Sequence, residues 1–365
     1  MKVKYLDLQK QFDDEALWTD LKKQFQSCMF VMGNEVRQFE SAFAELCQTR
    51  FALGVNSGTD AIFLALKALD IGQDDEVLTV SNSFIATAGA IVATGAKPVF
   101  VDAVPDYNMN PELIEGAITP RTRAIMPVHL TGNPADMPRI MDIAKAHGLY
   151  VVEDAAQAVA ATIHGQPVGS FGDVGCFSLH PLKNLNVCGD GGVLTTNSKD
   201  LHQKIERLRN HGLKNRDEIA FFGYNSRLDT IQAVVALHNL KNLHQVTEKR
   251  IGNAKKYDSL LSEMNHNVVI PPRRTDVRQV FHTYIVQVKE REKLIEHLDT
   301  NGVETKIHYP IPIHLQEPCR EIGLKSGGLP ETEKQGERIL SLPIHQFLTP
   351  EQIEYVAESI KRFYA

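Results

Sequence analysis

The sequence predicts an α/β fold: a large, doubly wound, mostly parallel sheet domain followed by a smaller C-terminal α+β domain. Three observations carry that expectation. Short apolar runs alternate with longer helical patterns through roughly the first two thirds of the chain. The runs lack a clean apolar–polar alternation, the mark of strands covered on both faces. Beyond a long helical stretch, Pro271-Pro272 interrupts the pattern and a different alternation begins.

In chain order, the strands expected of the sheet are 51–56, 76–81, 98–102, 124–128, 150–153, 174–178 and 192–196, rich in Val, Ile, Leu and Phe. Helical patterns fall between them at 59–69, 83–94, 136–147 and 201–209. A long helix over about 228–261 then leaves the sheet. The second unit reads as a strand (282–288), a helix (291–301), a strand (303–307), a Pro-rich loop and a terminal helix (350–363). A chain of 365 residues is long enough for one core to give way to two, and the division is set at 1–245 and 246–365. In parallel sheets of this kind ligands collect beyond the carboxyl ends of the strands, so the loops there carry the functional weight.

Composition narrows the function. Lysine and arginine total 39 against 45 acidic residues, a net charge of -6, without the basic stripe that a nucleic-acid partner requires. The five cysteines are scattered, odd in number and never paired as Cys-x-x-Cys, which argues against a disulfide framework and a metal site and suits a reducing compartment. The chain reaches Asp7 before any apolar run forms, and no stretch of about 18 apolar residues could span a bilayer. A cytoplasmic protein with no membrane partner is expected.

Three segments carry candidate chemistry. Asn56-Ser57-Gly58-Thr59 follows a buried-type strand and opens a helix. The unpaired N–H groups of a helix start suit a phosphate, and Gly58 lets backbone approach a ligand; a plain N-cap by Ser57 or Thr59 is the alternative. Glu153-Asp154 ends an apolar strand, where an ionised carboxylate needs a partner. A protonated pyridine nitrogen, a magnesium ion or a strand-end salt bridge could each serve. Finally, Phe177-Ser178-Leu179-His180-Pro181-Leu182-Lys183-Asn184 places a lysine in a Pro-broken loop, ahead of the tight turn Gly189-Asp190-Gly191-Gly192. Lysine condenses with aldehydes to form an imine and, once released, carries protons; most lysines are merely solvated surface charges.

Taken together, these segments resemble the DegT/StrS family of sugar aminotransferases, which have the fold type I architecture of pyridoxal-phosphate (PLP) dependent transferases. The likeness extends over Leu6-Asp7-Leu8, Gly33-Asn34-Glu35-Val36, Glu153-Asp154-Ala155-Ala156-Gln157 and Gly223-Tyr224-Asn225-Ser226-Arg227-Leu228. It implies that Lys183 is joined to pyridoxal 5'-phosphate as an imine and moves the proton of the reaction. It further implies that Asp154 pairs with the pyridine nitrogen, that Gln157 lies near the phenolic oxygen and that Phe84 stacks on the ring. Ser57, Gly58 and Thr59, with the Ser178 hydroxyl, would hold the phosphate. Asn225 would reach the cofactor of a neighbouring copy, making a homodimer with shared sites functionally necessary.

The implied reaction moves an amino group from an amino acid, glutamate foremost, to a nucleotide-linked keto-sugar. In the loop 306–316, His308, Tyr309 and His314 are candidate sugar contacts along with His180, and the His-Tyr-Pro-x-Pro-x-His-Leu-Gln pattern resembles members that aminate the 3-position of dTDP- or UDP-linked 3-keto-sugars. Two rivals stand beside this reading. One is a 3-dehydratase, whose family branch carries histidine where Lys183 stands; the other is a regulatory protein that keeps the fold without turnover. Leu179 and Leu182 depart from the family's usual residues beside the lysine.

Overall fold

The computed structural model describes residues 1–264, 266–321 and 328–365. All seven strands expected of the large sheet form: β1 (Phe51–Val55), β2 (Glu76–Val80), β3 (Lys97–Val101), β4 (Thr122–Ile125), β5 (Tyr150–Asp154), β6 (Val174–Ser178) and β7 (Gly192–Thr196). Their order across the sheet is β1-β7-β6-β5-β4-β2-β3. Neighbours from β6 to β3 pair parallel, whereas β7 runs antiparallel to both β1 and β6. β4 ends at Ile125, short of the expected 128, because Pro127 has no N–H to offer a ladder.

Burial on both faces explains the missing alternation in the strands. Val152, Cys176 and Leu194 enter one hydrophobic cluster with the Gly58–Ala68 helix. Their chain neighbours Val151, Phe177 and Val193 point the other way into separate clusters, so both faces of these central strands are covered. Two further helices, Glu15–Ser27 and Asn34–Leu46, pack on the long Thr230–Leu261 helix. The spacing of Val36, Phe39 and Phe43 carried the signal for the second of them.

The Thr230–Leu261 helix runs through position 245 and serves two cores. Ala233, Val235 and Leu243 pack with Phe177 of the large sheet, whereas Ala254, Tyr257 and Leu261 pack with the C-terminal unit. That unit holds an antiparallel sheet of Val268–Val269, Tyr284–Val288 and Ile339–Leu342, covered by the Arg291–Thr300 and Pro350–Tyr364 helices. One expectation is corrected here: 303–307 is not a strand. Val303 bridges Val3 in parallel and Lys306 bridges Ser341 antiparallel, so the two ends take different partners and no continuous ladder forms. The sheet position is filled instead by Ile339–Leu342, which the sequence reading did not anticipate. Among the described residues, no helix is long and apolar enough to cross a membrane.

Candidate active site

Sheet register builds the site. Val55 and Ser178 both lie opposite Gly192, so the carboxyl ends of β1 and β6 meet across the first residue of β7. Asp154, the last residue of β5, pairs beside Cys176 of β6. The closeness demands glycine at two points. A Cβ on Gly192 would lie 2.2 Å from the Ser57 carbonyl oxygen, and one on Gly58 would lie 2.7 Å from the Ser178 Cβ. Around these strand ends opens a cavity of about 470 Å³.

The turn after β1 is both things that its sequence allowed. Ser57 caps the Gly58–Ala68 helix, its Oγ accepting the Asp60 N–H at 3.0 Å. Helical geometry leaves the N–H groups of Gly58 and Thr59 without intrahelical acceptors, and both residues line the cavity. Ser178 faces them from β6. Its Oγ accepts the His180 N–H at 3.3 Å, which leaves its own proton to donate.

The pleat of β5 separates the paired acids. Glu153 turns into the protein, where it accepts bonds from Gly169 N (2.7 Å), Gly172 N (2.8 Å) and Phe171 N (2.9 Å), with the His129 ring at 3.0 Å. Asp154 turns into the cavity, where it is 4% exposed. Its Oδ2 accepts from Thr87 Oγ1 at 2.7 Å and its Oδ1 from Ala156 N at 3.2 Å; Thr87 in turn shares a 2.7 Å bond with Ser83. Burial raises the Asp154 pKa, while Thr87, Ala156 N–H and the nearby Lys183 and His129 oppose that rise.

Lys183 projects from the loop after β6 into the same cavity. The loop is held by Lys183 N–H to His180 O (2.8 Å), by Asn186 to Lys183 O (2.8 Å) and by Asn184 to Val280 O (3.0 Å). Burial pushes the lysine down to about 8 from the usual 10.5, with Asp154 pulling in the opposite direction. The neutral amine is therefore a minority near physiological pH, but a far larger one than an unshifted lysine would offer.

Aromatic rings and the Gln157 amide form much of the remaining wall. Phe84, 54% exposed, precedes the Ile85–Ala93 helix, with its ring 5.7 Å from that of Tyr309. Gln157 accepts Thr131 N–H at 2.8 Å through Oε1, which turns its amide NH2 toward the Tyr309 hydroxyl. His308 bonds Ser341 Oγ through Nδ1 at 2.9 Å. Burial, with Lys183 and Lys306 nearby, lowers its pKa to about 4. Burial and the Lys183 charge also lower His180, and they hold His282 well below the usual imidazole value.

Eleven of the thirteen expected site residues thus line one cavity, and two do not. His314 is buried at 2% exposure, its Nδ1 on Ser81 Oγ (2.6 Å) and its Nε2 on Glu333 (3.0 Å), so it braces the loop rather than facing ligand. Asn225 is exposed on the segment before the long helix, outside the cavity. Sequence reasoning missed Ser83, Thr87, Asp190 and His282, which also line it. The Ser83–Thr87 spacing of four hints at a shared helix face, but its target is 67 positions away in sequence.

The comparisons with known proteins agree with this geometry. Residues 11–361 match the model of the DegT/DnrJ/EryC1/StrS aminotransferase family. The chain is 43% identical to the UDP-N-acetyl-3-dehydro-alpha-D-glucosamine 3-aminotransferase of Acidithiobacillus ferrooxidans, over 96% of this chain and 94% of that protein. It is 41% identical to a pleiotropic regulatory protein of Geobacillus stearothermophilus, over 100% of this chain and 99% of that one. The crystal structure of S. venezuelae DesV in complex with a ketimine intermediate superposes with a TM-score of 0.97 at 38% identity, covering 99% of this chain and 98% of that chain.

Proposed function

The chain belongs to the DegT/DnrJ/EryC1/StrS aminotransferase family, and on that premise we propose that it moves an amino group from an amino acid, glutamate foremost, to a nucleotide-linked 3-keto-sugar, using pyridoxal 5'-phosphate. One observation carries the reading: the Lys183 amine, lowered to about 8, shares a cavity with the buried carboxylate of Asp154.

The donor set fits the cofactor. A phosphate takes hydrogen bonds, and the helix-start N–H groups of Gly58 and Thr59 with the Ser178 hydroxyl supply them at a positive helix end. An aldehyde needs a neutral amine, and burial provides one at Lys183. A pyridinium needs an anion shielded from water; Asp154 is buried, and the bonds from Thr87 and Ala156 N–H favour its charged form against the burial that raises its pKa. Gln157 has an NH2 group for the phenolic oxygen, and Phe84 a ring for stacking. When bound, the group supplies the electron sink for carbon–hydrogen bond breaking at the amino-bearing carbon. Lys183 would carry the proton, taking it up as a base and giving it back as an acid within each half-reaction.

Asn225 would serve the site of a second copy, in a homodimer whose two sites are shared. Its exposure outside its own cavity is compatible with that role. The 3-position is supported by the relative that aminates a 3-dehydro-sugar and by His308 and Tyr309 in the cavity wall. We place the enzyme in the cytoplasm and treat 1–245 and 246–365 as its two domains. The dehydratase reading is disfavoured by the lysine itself. The regulatory reading is disfavoured by an assembled set of Lys183, Asp154, Gln157 and Ser178, for which an inert binder has no use.

The test is to add glutamate to the purified PLP-loaded protein and follow conversion of the cofactor to its amine form by absorbance. Chasing with a UDP- or dTDP-linked 3-keto-sugar should restore the starting spectrum. No conversion with any amino acid sinks the aminotransferase reading; faster turnover of a 4-keto-6-deoxyhexose nucleotide sinks the 3-position.

A further inference from the structure

The N-terminal segment reaches the wall of the cavity, although nothing in its sequence suggests chemistry. Val3 bridges Val303, with Val3 N–H bonding Gly302 O at 2.8 Å and Glu304 N–H bonding Val3 O at 3.0 Å. Val3 itself is fully buried in the C-terminal core. Tyr5 follows, its N–H bonding Glu304 Oε2 at 3.0 Å. These contacts aim the Tyr5 ring at His308: the two rings stack with centroids 5.8 Å apart and 30° between planes. The tyrosine hydroxyl is buried beside Arg250 and Ser341, the residue whose Oγ bonds His308, and burial raises its pKa, so it stays protonated.

From this geometry we infer that Tyr5 is a positioning residue, which holds the cavity-lining ring of His308 at the angle the sugar meets. Three contacts bear on the ring of His308. Its Nδ1 is held by Ser341 Oγ, its edge meets the adjoining Tyr309 ring at 5.4 Å, and its face is covered by Tyr5. One hydrogen bond leaves a ring free to turn about the bonded nitrogen, and a stacked face removes that freedom. Burial keeps His308 uncharged at neutral pH, so its orientation decides which neutral group of a sugar it can bond. Phe84 and Tyr309 wall the same cavity, but neither covers the face of His308 that Tyr5 covers. The first residues of the chain therefore act on the site through a residue more than 300 positions away.

This inference rests on the sugar-aminotransferase reading for its kinetic arm and on geometry alone for its structural arm. The variants are Tyr5→Ala, which removes the stack, and Tyr5→Phe, which keeps it. With the holoenzyme and UDP-linked 3-keto-N-acetylglucosamine as probe, Tyr5→Ala should raise the sugar KM by about fivefold or more, the scale of a lost ring stack. Its glutamate half-reaction should match the unmodified enzyme, and Tyr5→Phe should restore the KM. Crystal structures of both variants form the second arm: the His308 ring should turn in Tyr5→Ala and return in Tyr5→Phe. An unmoved His308 ring in Tyr5→Ala overturns the inference whatever the kinetics. So does an equal loss in both half-reactions, which marks general destabilisation. An unmodified enzyme that shows no glutamate half-reaction overturns the functional reading instead, and the ring position still decides the role of Tyr5.

Discussion

Thr87 Oγ1 donates a 2.7 Å hydrogen bond to Oδ2 of Asp154, joining the helix after β2 to the end of β5 beneath the cavity floor. The bond favours the charged carboxylate at a place where burial opposes it. It sets the first expectation. Replacing Thr87 with Val removes a force that lowers the Asp154 pKa, so that pKa rises further. Because the charged form is the useful one, the acid limb of the pH–rate profile should move to higher pH. Rates measured from pH 5 upward, with Thr87→Ser as the variant that keeps the hydroxyl, check the direction.

Glu153 and Asp154 should respond in opposite ways although they adjoin. Glu153→Gln loses the charge that three backbone N–H groups share and should lower stability by about 2 kcal/mol, read by urea unfolding. Asp154→Asn should leave the unfolding midpoint close to the original and slow amino transfer by about a hundredfold or more. A reversal of the two phenotypes would contradict the pleat assignment.

Lys183→Ala should reduce amino transfer by about a thousandfold, within the range of a lost proton carrier. Borohydride reduction of the loaded enzyme should tag the peptide that contains Lys183, and the variant should carry no tag.

The pH dependence of cofactor capture follows from the lowered lysine. The amine attacks an aldehyde only when neutral, so the rate of reconstituting cofactor-free protein with pyridoxal phosphate should rise with pH through a midpoint near 8, well below the usual 10.5. The same shift makes the cofactor-free fold more stable as pH rises from about 8 toward 10.5, since the buried lysine of the folded state binds fewer protons than the unfolded one. A midpoint at 10 or above would contradict the burial of Lys183.

Gly192→Ala should unfold at a lower temperature, because its Cβ would lie 2.2 Å from the Ser57 carbonyl oxygen and the strand must shift to relieve the clash. Overpacking of this kind costs about 1–3 kcal/mol. Cofactor affinity should fall with it, since Ser57 opens the turn that offers Gly58 and Thr59 N–H.

Much of this molecule was legible before folding. The seven strands declared themselves as short apolar runs, and Ser57 as a helix cap, because period and capping are properties of adjacent residues. Segment 303–307 misled for the same reason: its alternation is genuine, yet its two ends found partners in Val3 and Ser341.

The chemistry of the site, a loop lysine, a strand-end acid and a phosphate-type turn, was written in local sequence, since each depends on residue type and near neighbours alone. The fold decided what neighbours could not. It chose which of two adjacent carboxylates shares the cavity with Lys183, set Thr87 under Asp154, withdrew His314 onto Ser81 and Glu333, and laid Tyr5 against His308. Each of those outcomes joins residues remote in sequence, and such contacts follow from sheet order and register, which no short window of residues encodes.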